Sequence, residues 1–420
     1  MFWVSMGQFI AALGSVLGVK ILTSVLSPEV YGELALGQTV VLFTNQILFG
    51  PLGTAVLRFY APAQENRQLS AYLKAIRGFV AQIAGILVAI AILVAAVLWT
   101  AGSIHWLGLA LSALLFSFLA GFAALYDGMQ TGARRRAVVA WHQGLGQWLI
   151  ILVAVALTLS FGRSSSLAMT GFAIAGGAVL ISQFYCFNYT IGRELTNRGE
   201  GSLDSETEWR QKMLEFAWPL ALWGLFSWMQ LASAPWVLQN YCGAKDVGFF
   251  AVLSKLGYAP ILILAGLMDQ FLTPILFSRA GTGDDQKRLS NAWRINRATV
   301  AGSLGLTGTA FLTSYFLHNQ IFAWFAAPEY RSVSHLLPWI ILGGGLFAAG
   351  QSAALMLLTD TNTRALIAPK ISTALCGVTL NLAGAMYKGV EGVVFAIVLT
   401  SLFYLVWVFT MSWRIHAHRD

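Results

Sequence analysis

The residues of this 420-residue chain that could do chemistry are the ionisable ones set inside long apolar stretches. A charge at a bilayer centre costs about 2.5–3.5 kcal/mol on insertion scales, so it needs a partner, a wet cavity or a route to the headgroups. Lys20 lies before the end of the first apolar stretch, about 9 Å deep at 1.5 Å per residue. Lys255 lies near the start of the eighth, about 10 Å deep from the same side. Two cations at matching depth could line a cleft and hold an anionic group, or each could snorkel to the headgroups. Arg58 closes the second stretch on the opposite side, where it could fork onto phosphate oxygens or anchor the helix end. Asp269 sits about 12 Å inside the eighth stretch. A lone carboxylate there could carry H+ or Na+, or pair with a cation. Asp127, Glu215 and Asp360 fall at stretch ends and are expected at the interface.

Uncharged polar groups recur in the same stretches. Gln38, Asn45 and Gln46 in the second, with Gln8 and Ser15 in the first, are the densest set; Gln143, Gln147, Gln230, Gln351 and Asn381 are spread more thinly. Such groups either bond helix to helix or face a wet, sugar-contacting surface. Trp218, Trp223 and Trp228 on the seventh stretch suit a stacking platform or an interfacial belt. Pro51, Pro260 and Pro274 lie inside apolar stretches and should kink their helices, since proline lacks an N–H and crowds the carbonyl four residues back.

Patterns of known catalysis are missing. The sequence has no GxxxxGK[ST], no HExxH and no CxxC, and its three Cys have no paired spacing. His416 and His418 are read as a cytoplasmic tail rather than a metal pair, and Asp284–Asp285 as a solvated turn. A membrane enzyme of glycan assembly would bring a large outer loop, and the longest here, His318–His335, holds one acid, Glu329. No cofactor is implied.

Helices must position these residues. Apolar residues make up 57% of the chain and charged ones 10%, against about 45–50% and about 25% in soluble domains. That leaves too little charge to coat a water-facing surface and excludes a disordered chain. Twelve stretches have spanning length: Phe2–Leu26, Leu34–Leu57, Phe79–Trp99, Leu107–Tyr126, Val138–Phe161, Leu167–Ile191, Met213–Leu238, Gly248–Phe277, Ala298–Leu317, Leu336–Leu358, Ile371–Tyr387 and Val393–Trp413. They are read as helices because lipid offers no partner to a free backbone N–H or C=O. The first has no basic segment before it and is longer than a signal core, so it is counted as a span.

Twenty of the 26 Lys and Arg fall in one set of alternate loops and four in the other; the remaining two are Lys20 and Lys255. By the positive-inside rule both termini are cytoplasmic. The net charge of +8 is then a collar facing anionic headgroups of membrane lipids, not a nucleic-acid surface. The longest charged interval suggests a linker at 192–212 between six-helix halves at 1–191 and 213–420. Pro28–Ala35 and Ala244–Ala251 align, with Gly32 on Gly248 and Ala35 on Ala251. Halves with even span numbers keep one orientation, as parallel repeats do.

The stretch Leu22–Ala35, the run Gly50-Pro51-Leu52-Gly53 with Arg58-Phe59-Tyr60, and Asp246-Val247-Gly248 with Ser254-Lys255-Leu256 resemble polysaccharide flippases of the Wzx type. That family belongs to a superfamily that also holds lipid II flippases and multidrug exporters. The resemblance implies an all-α integral membrane protein: two parallel six-helix bundles forming a V-shaped alternating-access transporter in the bacterial inner membrane. It implies movement of a polyprenyl-pyrophosphate-linked oligosaccharide to the periplasmic leaflet for surface polysaccharide biosynthesis. Lys20, Arg58 or Lys255 would meet the pyrophosphate; Gln38, Asn45 and Gln46 would meet sugar hydroxyls; Asp269 would couple an ion. Polymerase or glycosyltransferase partners fit that setting. The rival within the same fold is a cation-coupled drug or metabolite exporter, and the rival outside it a membrane enzyme or scaffold.

Overall fold

The computed structural model describes residues 2–195, 203–280, 286–359 and 367–417, and helices make up nearly all of them. Among the described residues, ten helices are long and apolar enough to cross a membrane. Two places account for the difference from the twelve stretches in the sequence. Helix α8 (Leu203–Tyr241) has 39 residues, but its charged start and its Trp, Gln and Ser content keep it below the apolarity of the others. Helix α13 (Ile367–Ala417) is 51 residues long and is interrupted at Lys388 (φ −141°, ψ 16°) and Gly389 (φ 56°, ψ −131°). A Cβ on Gly384 would come within 2.5 Å of the Gly392 backbone, and one on Gly377 within 3.3 Å of Thr400. The two arms of α13 therefore fold back on each other as an antiparallel hairpin.

The chain forms two compact units, Met1–Leu26 with Glu33–Trp228, and Ser27–Gly32 with Met229–Asp420. The first contains α1 (Phe2–Val25), most of α2 (Pro28–Thr44), α3 (Gly50–Glu65), α4 (Leu69–Thr100), α5 (Leu107–Gly132), α6 (Arg136–Phe161), α7 (Ser165–Leu195) and most of α8. Pro28 opens α2, where a missing N–H costs nothing, and Glu29 faces the positive end of the helix dipole. Helices α1 and α6 pack along small residues: a Cβ on Gly7 would lie 2.7 Å from the Ala140 backbone, and one on Gly18 2.5 Å from Ile151. Near the charged helix ends the core is aromatic. The Tyr72 hydroxyl donates to the Val56 carbonyl at 2.6 Å, and Tyr60 and Trp209 meet the Tyr72 ring edge-on. The outward face of α4 exposes Val88, Ile92, Leu93, Val97 and Trp99, an apolar surface that suits lipid and not water.

The second unit contains α9 (Ala244–Leu253), α10 (Ala259–Ala280), α11 (Gln286–Phe325), α12 (Leu337–Thr359) and α13. The two segments aligned in the sequence lie against each other. A Cβ on Gly32 would sit 1.8 Å from the Ala244 carbonyl oxygen, and one on Gly248 2.0 Å from that of Pro28. Pro28 and Ala244 are paired in the alignment, and the first turns of α2 and α9 pack against each other at these two glycines.

Two prolines act as expected, through an identifiable device. A five-residue π turn, Asn45–Phe49, ends two residues before Pro51, and another, Ser254–Tyr258, ends two residues before Pro260. The wider turn moves the backbone carbonyls that the proline ring would crowd. The Gly50 N–H reaches back to the Asn45 carbonyl and the Ala259 N–H to that of Ser254. Pro274 stays within α10.

Candidate functional site

The π turn of the second unit faces a cavity of about 190 Å3. Its polar lining is Gln230 from α8, Ser254, Lys255 and Tyr258 from the π turn, and Asn381, Thr400 and Ser401 from the two arms of α13. The α13 hairpin thus brings residues 381 and 401 to one wall, and the π turn presents Lys255 opposite. Among the described residues Lys255 has no carboxylate or hydrogen-bond partner, and no acidic residue lines the cavity. Asn381 is 2% exposed; its Nδ2 donates to the Ser233 hydroxyl at 2.9 Å, while its Oδ1 has no partner among the described residues. Leaving such an acceptor unmet costs about 1–3 kcal/mol. The cavity therefore offers an ammonium donor within a largely apolar surround.

The candidates of the first unit are placed differently. Lys20 is half-buried on α1, and its carbonyl accepts from the Thr23 hydroxyl at 3.3 Å. Gln38 is half-buried on α2, Asn45 is exposed at the start of the π turn, and Gln46 is half-buried beside it. Helix α8 runs close over this turn: a Cβ on Gly224 would lie 2.0 Å from the Gln46 carbonyl oxygen. The Arg58 guanidinium is exposed and lies over the Phe216 ring at 4.8 Å, a cation–π contact that leaves its charge free to meet an anion. Of the three tryptophans, Trp228 is a latch: its indole N–H donates to the Thr39 carbonyl at 2.9 Å and its ring meets Phe43 edge-on. Trp218 and Trp223 are exposed. Asp269 lies on α10, and its side chain falls outside the described residues, as do Asp284, Asp285, Asp360 and His418.

Asp127, expected at the interface, is held by neighbouring helices. It is half-buried on α5, and accepts from Gln183 Nε2 at 2.8 Å and from Gln143 Nε2 at 3.3 Å. Next to Gln143, His142 shares its Nδ1 with the Val138 carbonyl at 2.8 Å and its Nε2 with the Ser182 hydroxyl at 3.1 Å. Three helices thus meet at a hydrogen-bonded polar cluster. Sequence spacing gave no signal for it, because the amides lie 16 and 56 residues away.

The fold and these polar interiors define a class: an all-helical, multi-pass membrane protein with the architecture of the multidrug and lipid-linked glycan transporters. The chain resembles lipid II flippase MurJ in an inward closed conformation with a TM-score of 0.70, at 13% identity over 98% of this chain and 86% of that one. It resembles an inward-facing multidrug resistance MATE family transporter of the MOP superfamily with a TM-score of 0.67, at 16% identity over 98% and 94%. A MOP superfamily transporter from Pyrococcus furiosus, whose binding pocket is described as reversed in polarity, matches with a TM-score of 0.64, at 15% identity over 99% and 94%. No curated protein matches the chain in sequence. The profile of the family described as "Polysaccharide biosynthesis protein" matches residues 1–279, and the chain belongs to that family.

Proposed function

We propose that the protein moves a polyprenyl-pyrophosphate-linked oligosaccharide from the cytoplasmic to the periplasmic leaflet of a bacterial inner membrane. The observation that carries this reading is Lys255, an ammonium group facing a largely apolar cavity that no acid lines among the described residues. A buried cation of that kind suits an anionic cargo and repels a cationic drug. Lys20 and Arg58 are the further groups proposed for the pyrophosphate, and Gln38, Asn45 and Gln46 for sugar hydroxyls. The family description supports a role in polysaccharide synthesis, and the lipid II flippase fold supports a lipid-linked cargo. The lipid tail would remain in the bilayer while the polar head crosses.

The finer topology belongs to the same proposal: twelve crossings, six-helix bundles at 1–191 and 213–420 joined by 192–212, and both termini cytoplasmic. The reversal in α13 and the length of α8 support the count. Coupling to H+ or Na+ through Asp269, and polymerase or glycosyltransferase partners, complete it. Multidrug transporters among the structural neighbours favour a second reading, a cation-coupled exporter of the same fold.

The test is a deletion strain complemented with wild type, Lys20→Ala, Lys255→Ala or the double variant, scored for surface glycan and drug sensitivity. The proposal expects lost glycan in the deletion strain, restored by wild type and not by the double variant. Unchanged glycan with heightened drug sensitivity would favour the exporter. Full glycan export by a folded double variant would remove the cation roles.

A further inference from the structure

Helices α6 and α7 leave between them a groove of about 560 Å3 at the surface of the first unit. Leu145, Leu149 and Leu152 of α6, with Ala178 and Val179 of α7, make it apolar. From Trp141 to Leu152 it runs about 16 Å along α6 at 1.5 Å per residue. One leaflet of a bilayer's hydrocarbon core is about 15 Å thick. At the end where α6 begins the lining is polar: His142 Nε2 and the Ser182 hydroxyl meet there at 3.1 Å, beside the exposed ring of Trp141. Helix α6 starts at Arg136, about 7–8 Å further along its axis, and the headgroup layer flanking the core is about 5–8 Å thick. Arg134 and Arg135 precede it in the turn from α5. Arg134 holds a φ of 60°, a left-handed position that helix ends ordinarily give to glycine, so a cation stands where backbone preference favours none. Among the described residues none of the three arginines has a carboxylate partner, and no acid lines the groove. Asp127, on the neighbouring α5, is engaged by Gln143 and Gln183.

We propose that this groove is a binding site for one anionic glycerophospholipid, with its phosphate on the Arg134–Arg136 turn and an acyl chain along Leu145, Leu149 and Leu152. A benzene ring fills a cavity of about 150 Å3, so the groove takes roughly twenty carbons, the scale of one acyl chain. A polyprenyl tail of about fifty carbons would need more than twice that space. A free inorganic anion would leave the apolar length bare, and a zwitterionic lipid brings no net charge to the arginines. A second copy of the chain, related by an axis along the membrane normal, would bring two arginine triplets to the same depth, like charge against like. A negative headgroup whose chain lies in the adjoining leaflet answers both ends of the groove at once. His142 and Ser182 adjoin Gln143 and Gln183, which hold Asp127, so a lipid seated here braces the seam of α5, α6 and α7. The site lies wholly within the first unit and is independent of the cargo.

The experiment is native mass spectrometry of the purified full chain in detergent. The probes are phosphatidylglycerol and phosphatidylethanolamine with identical long acyl chains, a short-chain phosphatidylglycerol, and a polyprenyl phosphate as competitor. Wild type should hold one long-chain phosphatidylglycerol more than about tenfold tighter than phosphatidylethanolamine and than the short-chain form, a tenfold step corresponding to about 1.4 kcal/mol. The triple variant Arg134→Gln, Arg135→Gln, Arg136→Gln should bind the two headgroups alike, and Ala178→Phe, which fills the groove, should lose the advantage of the long chain. Arg67→Gln is the control: Arg67 holds the same left-handed position, φ 57°, in the turn from α3 to α4 and is outside the groove lining, so the preference should persist. Equal binding of the two headgroups by wild type would overturn the proposal, as would a preference that survives both the triple variant and Ala178→Phe. Displacement of phosphatidylglycerol by an equimolar polyprenyl phosphate would reassign the groove to the tail of a lipid-linked cargo. Dimers lost in Ala178→Phe would reassign it to a second copy of the chain. Either result overturns the phospholipid assignment. The comparison of lipids on wild type stands even where a variant does not fold.

Discussion

The two units each hold an ionisable side chain away from water, and they treat it in opposite ways. In the first, Asp127 is tied down by two amides, from α6 and α7, whose N–H groups are spent on it. In the second, Lys255 lies in a cavity with no acid in the lining among the described residues. The difference teaches how to tell a structural charge from a functional one. A carboxylate that already accepts its hydrogen bonds stabilises the seam that supplies them. A cation whose described cavity lining is neutral keeps its charge open to a partner from outside that lining.

This contrast can be broken experimentally. The largest effect should come from Lys255→Ala: surface glycan export should fall by more than about tenfold, roughly 1.4 kcal/mol, while the melting temperature of the purified protein stays level or rises. A fall in melting temperature with intact export would turn the contrast on its head. Asp127→Ala should do the reverse. It strands the Gln143 and Gln183 amides and should cost about 1–3 kcal/mol of stability, read as a lower melting temperature in detergent; Asp127→Asn should recover part of it.

Smaller effects sharpen the picture at the margins. Arg58→Lys keeps the charge and loses the flat contact with Phe216, so export should drop less than for Lys255→Ala, with a stability change of about 0.5–1 kcal/mol. The smallest concerns Cys242, in the turn between α8 and α9. Burial first, and Asp246 second, push its thiol above the ordinary value. At neutral pH it should therefore be protonated and slow to alkylate, with the rate rising as pH climbs toward the raised value. Asp246→Asn should shift that rate curve to lower pH, measurable by maleimide labelling and mass spectrometry.

Much of this was legible in the sequence, for reasons specific to membranes. Nine of the twelve expected stretches coincide with apolar helices because length and hydropathy are local properties. The tenth helix on that scale, α13, covers two stretches that the structure separates by a backbone reversal at Lys388 and Gly389. Lys255 stood out for its depth alone. Its surroundings did not, since Asn381 comes from a helix more than a hundred residues later and Gln230 from another. The partners of Asp127 were not legible, because its position near a helix end says nothing of the two amides that other helices bring to it. The prolines foretold distortion, and the form it took, a π turn ending two residues earlier, depended on packing that a one-dimensional pattern does not encode.

Gly32 and Gly248 carry a consequence for how this chain can change over time. They occupy corresponding positions in the two aligned segments, and each lies against a carbonyl at the start of the other. Separate segments ordinarily drift apart, because each answers only to its own neighbours. Here the two are each other's neighbours and share a single gap, so a methyl group gained by either intrudes on both. Self-contact of this kind holds both positions to glycine.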